Sequence, residues 1–412
     1  MKAGLDVFLA PGRAEVGAMA RAILVALIAC LPASGLAQQA ARPELQTRQL
    51  KRLQVVSLPC VPTMITVTPG IKDAPPGAFA SLAEAIHYSE AHALCGVSID
   101  VSPGSQTGEF LITRSTTIRG HIGTVLAGSV LNPGGLDLVL EDLTVASAPD
   151  TAILQSHGHL TMRNVTVLNT RRQSAALRSG TAVELHSGVA AELSAVTLKG
   201  NEGVALYLDG KGTVVKATEL TVKNNFIHPQ AKETFAKNGV ANRVAAVEVA
   251  GEAELYVDRY DISDNEMFGV LVRSRGAAHL RSGTIAGTRT YKPSWATETF
   301  GGDNVTSRGE ARIELTAFAS VGAGRCGLQV WSAYLKTLVG EVHDNVLGVC
   351  SWQPLPGFDP ARCVLGNTVR VYNNGSNLPG STVSVPDPAC SLPNPPPTCD
   401  SSGTTCPGVP WR

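Results

Sequence analysis

The sequence predicts an all-β solenoid of stacked parallel coils, and three observations carry that reading. One short phrase, apolar–Thr–apolar followed by a polar turn, recurs as Leu143-Thr144-Val145, Val165-Thr166-Val167, Val196-Thr197-Leu198 and Leu220-Thr221-Val222, the first two copies 22 residues apart and the last two 24. Looser copies follow at Tyr260-Asp261-Ile262 and Gly340-Glu341-Val342. Asparagines punctuate the turns that close these phrases, at Asn201, Asn225, Asn265, Asn345 and Asn374. Aromatics make up only 5% of the 412 residues, while Gly and Pro number 41 and 25, a mix that suits short strands and tight turns better than a helical bundle. Self-similarity at a fixed period marks a stack, because one such unit cannot bury its apolar face alone.

The elements follow in order. Arg13 and Arg21 precede the apolar run Ala22–Leu31, and Gly35-Leu36-Ala37 supplies a small-x-Ala cleavage pattern. Residues 1–37 therefore read as an export signal whose apolar run is too short to span a bilayer stably. Leu27-Ile28-Ala29-Cys30 also resembles a lipoprotein box, which would leave a lipidated Cys30 at the surface. Residues 38–69 form a leader that is polar to about residue 52. Without Cys30 the exported chain keeps Cys60, Cys95, Cys326, Cys350, Cys363, Cys390, Cys399 and Cys406, an even set that suggests disulfides. Proximity proposes Cys60–Cys95, Cys350–Cys363 and a link within 390–406. No C-x-x-C pair or accompanying histidine cluster points to a metal, and nothing points to a cofactor.

Ser81 to Leu94 reads as a helix, with Ser81 and Glu84 as a capping box and Leu82, Ala85, Ile86, Ala93 and Leu94 on one stripe. It stands where it can cover the open end of a stack. Strands are expected at Val97–Val101, Glu109–Ile112, Thr116–Arg119 and Thr124–Leu126, and Leu136, Leu138 and Leu140 alternate onto one face. The β-helix domain spans residues 70–385, with its coils between residues 96 and 375. From Pro386 the chain is a Pro/Cys-rich tail, 386–412, unsuited to regular structure.

These residues resemble a known family. Phe79-Ala80-Ser81-Leu82-Ala83-Glu84-Ala85-Ile86 is followed by Ile99-Asp100-Val101-Ser102-Pro103-Gly104, by Glu109, by Thr117-Ile118-Arg119-Gly120 and by coils ending in Asn-rich turns. That order is similar to the pectin-lyase-like right-handed parallel β-helix superfamily. The resemblance implies the fold. It leaves the activity open, because the superfamily includes polysaccharide lyases, hydrolases, esterases, adhesins and tailspikes.

Thirty-four basic residues balance 34 acidic ones, so no global field draws the chain to nucleic acid or to an anionic membrane. The turn asparagines read as structural, their amides bonding the coils above and below. The threonines of the phrase face outward. Asp258, Asp261 and Asp264 are spaced three apart, so strand alternation sends them to opposite faces and argues against a calcium site. His157, His159, His186 and His279 sit near turns and read as surface residues.

Function is sought in three insertions, after Thr170 (to about Gly180), after Asn225 (to Arg243) and after Gly287 (to Gly309). They leave the coil at nearly the same point, so stacking gathers them on one edge. Each is net positive, and the third adds Tyr291, Trp295 and Phe300. Arg171, Arg172, Lys232, Arg289 and Lys292 beside Trp295 suit an acidic polysaccharide, with cations on carboxylates and a ring on a sugar face. The competing reading is a non-catalytic surface or adhesive rod. The sequence shows no R-x-P-x-x-R, N-T-D, G-x-S-x-G or HExxH pattern, so whether the chain is an enzyme stays open.

Overall fold

The computed structural model describes residues 62–71, 75, 77–92, 95–172, 180–238, 243–297, 299–331, 333–352 and 368–377. The export signal, most of the leader and the C-terminal tail lie outside the described residues.

Each coil passes over three faces. Leu138–Ala146 runs along the first face, bends at Asp142 and continues on the second. Ser147 turns the corner, and Thr151–Ser156 forms the third face. His157-Gly158 then returns the chain to His159–Leu168, which pairs in parallel with Leu138–Ala146. Repetition of this circuit gives one continuous parallel sheet, a right-handed parallel β-helix, wound in the sense that parallel crossovers between twisted strands adopt. The recurring phrase is one column of it, since Thr144, Thr166, Thr197, Thr221 and Asp261 are in register on successive coils. The column continues through Thr284, Ala319 and Glu341. Its flanking apolar residues, such as Leu143, Val145, Val165 and Val167, fill the interior.

The bend between the first two faces is made without glycine. Asp142, Asn164, Ala195, Glu219, Arg259, Ser282 and Ala317 form a single column with φ between 52° and 59°. Such a backbone costs a residue with a Cβ about 1–2 kcal/mol. It persists because the paired strands on either side fix it.

At the second corner two adjacent residues share the work. The left-handed residue is the one before each ladder asparagine, as at Gly200, Asn224, Asp264, Asp344 and Asn373. The asparagine itself turns inward. Asn225 Nδ2 donates to Leu198 O (3.3 Å) and Asn265 Oδ1 (2.9 Å), while its Oδ1 accepts from the backbone and side-chain nitrogens of Asn201, both at 3.0 Å. Asn345 and Asn374 repeat the pattern. The amides thus satisfy corner backbone groups that would otherwise be buried without partners.

Helix α1, Leu82–His92, starts as the capping pattern expects, with Glu84 N donating to Ser81 Oγ at 3.2 Å. Leu82, Ala85 and Ile86 are buried against the first strands, and Leu82 N donates to the buried Gln106 side chain. Residues 93 and 94 lie outside the described set. The first coil strand is Thr63–Val67, ahead of residue 70, since Ile65 and Val67 already alternate into the core and the strand pairs with Val97–Val101.

One expected disulfide is corrected. Cys350 joins Cys326, not Cys363. The two lie on neighbouring third-face strands, where Gln329 is in register with Cys350, and their Cα atoms are 6.0 Å apart, a separation a disulfide spans without backbone movement. Cys95 is also disulfide-bonded, and its partner is outside the described residues, as is Cys60. No helix among the described residues is long and apolar enough to cross a membrane.

Candidate functional site

All three insertions depart from the second corner, immediately after Thr170, Asn225 and Thr288. They come from alternate coils, because the coils carrying Asn201 and Asn265 pass the corner without an insertion. The third is shorter than the sequence suggests. Asp303–Arg308 is already a third-face strand, paired with Phe268–Arg273, so Arg308 belongs to the coil.

The insertions interlock. The second forms helix α2, Pro229–Asn238, and the third a small antiparallel pair, Thr290–Tyr291 with Phe300–Gly301. Ile227, Ala231 and Phe235 pack on Val244, Ala245, Met267, Phe268 and Leu271, with Tyr291 and Phe300 at the margin. This apolar patch seals the outward side of the third face near the second corner. That is why strands such as Ala245–Val249 are buried on both sides.

The six expected residues are brought to this one edge, in different states. Arg171 is exposed and lies 5.5 Å over the Phe226 ring. Arg172 reaches Gln230 of the next insertion at 3.3 Å. Lys232 pairs with Glu266 at 2.9 Å and lies 4.9 Å from the centre of the Tyr291 ring. Arg289 donates to Asp264 O at 3.1 Å, and Lys292 is exposed. Trp295 is 53% exposed, its indole N–H donating to Glu233 at 2.6 Å. Tyr291 donates to the same carboxylate. The bonds from Trp295 and Tyr291 hold Glu233 below the usual carboxylate range, and the Glu233 bond pushes Tyr291 up to about 12. Asp258, Asp261 and Asp264 do not converge: Asp258 meets Arg259, Asp261 meets Lys223, and Asp264 sits at the corner.

The sequence reading missed a second cluster, on the outward side of the third face beyond the apolar patch. Glu184, Tyr207 and Glu248 are in register on successive coils; two residues further along the strands His186, Asp209, Arg273, Arg308 and Trp331 belong to one column, with Ala250 between Asp209 and Arg273. Arg243, at the re-entry of the second insertion, holds buried Glu184 with a two-bond fork of 2.7 and 3.1 Å. Its guanidinium lies 4.0 Å over Tyr207. His186 Nε2 stands 2.5 Å from Glu184 Oε1, with the ring 15% exposed. Burial pushes the Glu184 carboxyl up, but the bonds from His186 and Arg243 outweigh it and bring it down to about 2. Burial, with Glu248 and Asp209 nearby, pushes Tyr207 up to about 12. Further along, Arg273 donates to the fully buried Glu248 at 2.8 Å, and Arg308 stacks 4.0 Å over Trp331.

His186 is therefore a half-buried member of a network and not a plain surface histidine. A carboxylate behind one ring nitrogen fixes such a ring for proton transfer or hydrogen bonding at its other side. The signal was present in the i, i+2 pairs Glu184/His186 and Tyr207/Asp209. It emerges only when coils are aligned on the third face, whereas the repeating phrase lies on the second.

No family model matches the chain, nor does any curated protein. Among solved structures it is similar to the A-module of the Azotobacter vinelandii mannuronan C-5 epimerase AlgE4, at 11% identity and a TM-score of 0.36, over 74% of this chain and 94% of that one. The AlgE6 A-module of the same organism matches at 13% identity and a TM-score of 0.29, over 73% and 95%. Superpositions this loose leave the chemistry to this chain's own residues.

Proposed function

We propose that this is an exported β-helix protein that binds an acidic polysaccharide across the insertion edge. The observation that supports it is the gathering of three insertions from alternate coils into one interlocked surface bearing Arg171, Arg172, Arg289, Lys292 and the half-exposed Trp295. Guanidinium groups recognise carboxylates by paired hydrogen bonds, and an exposed indole offers an apolar face for a sugar ring. The Cys326–Cys350 disulfide suits an oxidising compartment outside the cytoplasm.

A second reading, a non-catalytic rod whose loops merely pack on themselves, is favoured by Lys232 and Trp295, which already have partners in Glu266 and Glu233. Affinity electrophoresis through gels containing polygalacturonate, alginate or neutral glucan separates the two. Binding predicts retardation in at least one acidic gel and none in the neutral gel, with the Arg171→Ala/Arg172→Ala protein migrating faster than wild type. Equal retardation of both proteins removes the insertion edge as the site, and retardation of neither in any gel leaves the rod.

A further inference from the structure

The third corner, where the third face returns to the first, is closed by tight turns with two successive left-handed residues. Gly251-Glu252 has φ of 60° and 66°, Ser274-Arg275 has 52° and 64°, and Gly309-Glu310 has 60° at both. Together with Lys211 from the preceding coil they line one open cleft of about 570 Å³. Four successive coils contribute, so the cleft follows the rod axis for roughly 14 Å at a coil rise of about 4.8 Å. That size suits a ligand of several rings and exceeds what a single ion fills.

A Cβ at Gly251 would meet Asp209 Oδ1 at 2.2 Å and the backbone nitrogen of Gly210 at 2.8 Å, so the turn packs closely on the preceding coil. Lys211 stands between Gly210 and Gly212, both left-handed, and is exposed. Ser274-Arg275 is the informative turn. The comparable described turns His157-Gly158, Ser187-Gly188, Gly251-Glu252 and Gly309-Glu310 each include a glycine, which takes this backbone freely. Ser274-Arg275 includes none, so both residues bear a conformation that disfavours any side chain. Ser274 Oγ accepts from Arg273 at 3.4 Å, and both exposed side chains line the cleft.

The charge pattern is mixed, as a polyhydroxylated anion requires. Arg275 pairs with Glu252 at 3.2 Å across open surface, a contact weak enough to be exchanged for a ligand. Glu310 adds an acceptor. Just inside two of these turns, Arg273 and Arg308 are in register on neighbouring coils. Burial, and then the charge of Arg273, hold the Arg308 guanidinium below its ordinary range, and Arg308 stacks on Trp331 while Arg273 is paired with Glu248.

We infer that this cleft is a second carbohydrate subsite, taking a short run of uronate units aligned with the rod axis. An extended pyranose unit is about as long as one coil rise, so successive sugars meet successive turns. Lys211 and Arg275 pair with carboxylates, while Glu252, Glu310 and the glycine backbone receive or offer hydrogen bonds to hydroxyls. The proposal shares the acidic-polysaccharide reading but not its location. The insertion edge lies at the other end of the third-face strands, about 20 Å away for six residues of strand.

Calorimetric titration with galacturonate and mannuronate trimers, too short to bridge the two corners, tests it. Maltotriose serves as the neutral control. At least one uronate trimer is expected to bind and maltotriose not to. Lys211→Ala and Arg275→Gly should each weaken that binding at least tenfold, while Arg171→Ala/Arg172→Ala leaves it unchanged. Arg275→Gly relieves the strained turn, so it should unfold no earlier than wild type, and loss of binding in it cannot be blamed on misfolding. Failure of both trimers to bind, or equal binding by Arg275→Gly, overturns the subsite. Loss in the Arg171/Arg172 variant alone would instead place the trimer at the insertion edge.

Discussion

Asn225 is 1% exposed, and its side-chain amide takes part in four hydrogen bonds that join three coils. Asn225→Leu keeps the heavy-atom count and branching but strands the backbone nitrogen of Asn201 and the carbonyl of Leu198. The expected loss is about 3 kcal/mol, from buried groups left unpaired. It should appear as a lower urea midpoint at unchanged slope. Glu184 supplies a pH test. Its carboxyl falls from the ordinary 4.5 to about 2 in the folded protein. A depressed carboxylate stabilises the fold fully above the unfolded value and loses that contribution as pH drops from 4.5 toward 2. The contribution is on the order of 3 kcal/mol. The stability gap between wild type and Glu184→Gln should therefore narrow across that window, and a gap constant from pH 5 to pH 2.5 would contradict the assignment. The asparagines were legible because they repeat in type. The left-handed bend column was not, since Asp, Asn, Ala, Glu, Arg and Ser share no chemistry and only the paired strands hold them there.

Among the elements, α1 and the second-face strands were readable because each carries its own signal, a capping residue in one case and a periodic phrase in the other. The third face was harder. Its strands are covered on both sides, so they lack the polar–apolar alternation that marks a half-buried strand, and the chain around Asp303 looked like loop. Charged pairs there, such as Glu184 with Arg243, come from residues far apart in sequence and become neighbours only through the second insertion. The Cys326–Cys350 bond belongs to this scale, closing 24 residues between adjacent third-face strands. Replacing both cysteines with alanine should cost about 3 kcal/mol by the loop-entropy estimate. Hydrogen exchange should then quicken in the strands Cys326–Trp331 and Leu347–Trp352 and stay slow in the coils near α1. Uniform acceleration would show that the stack unfolds as a single unit.

At the scale of the whole molecule, the β-helix turns short local repeats into surfaces that span several coils. Insertions on alternate coils become one edge, and turns on successive coils become one cleft. The central claim, an acidic polysaccharide on the insertion edge, is tested most directly by the salt dependence of binding. Polygalacturonate or alginate, whichever retards the protein, is titrated against wild type, Arg171→Ala/Arg172→Ala and Trp295→Ala over a range of sodium chloride. Exposed ion contacts are screened within about 8 Å at physiological salt, whereas ring stacking is not. The double arginine variant is expected to bind more weakly with a shallower salt slope. Trp295→Ala should bind more weakly at an unchanged slope, with thermal unfolding of both variants matching wild type. Wild-type affinity and slope in both variants would contradict the claim.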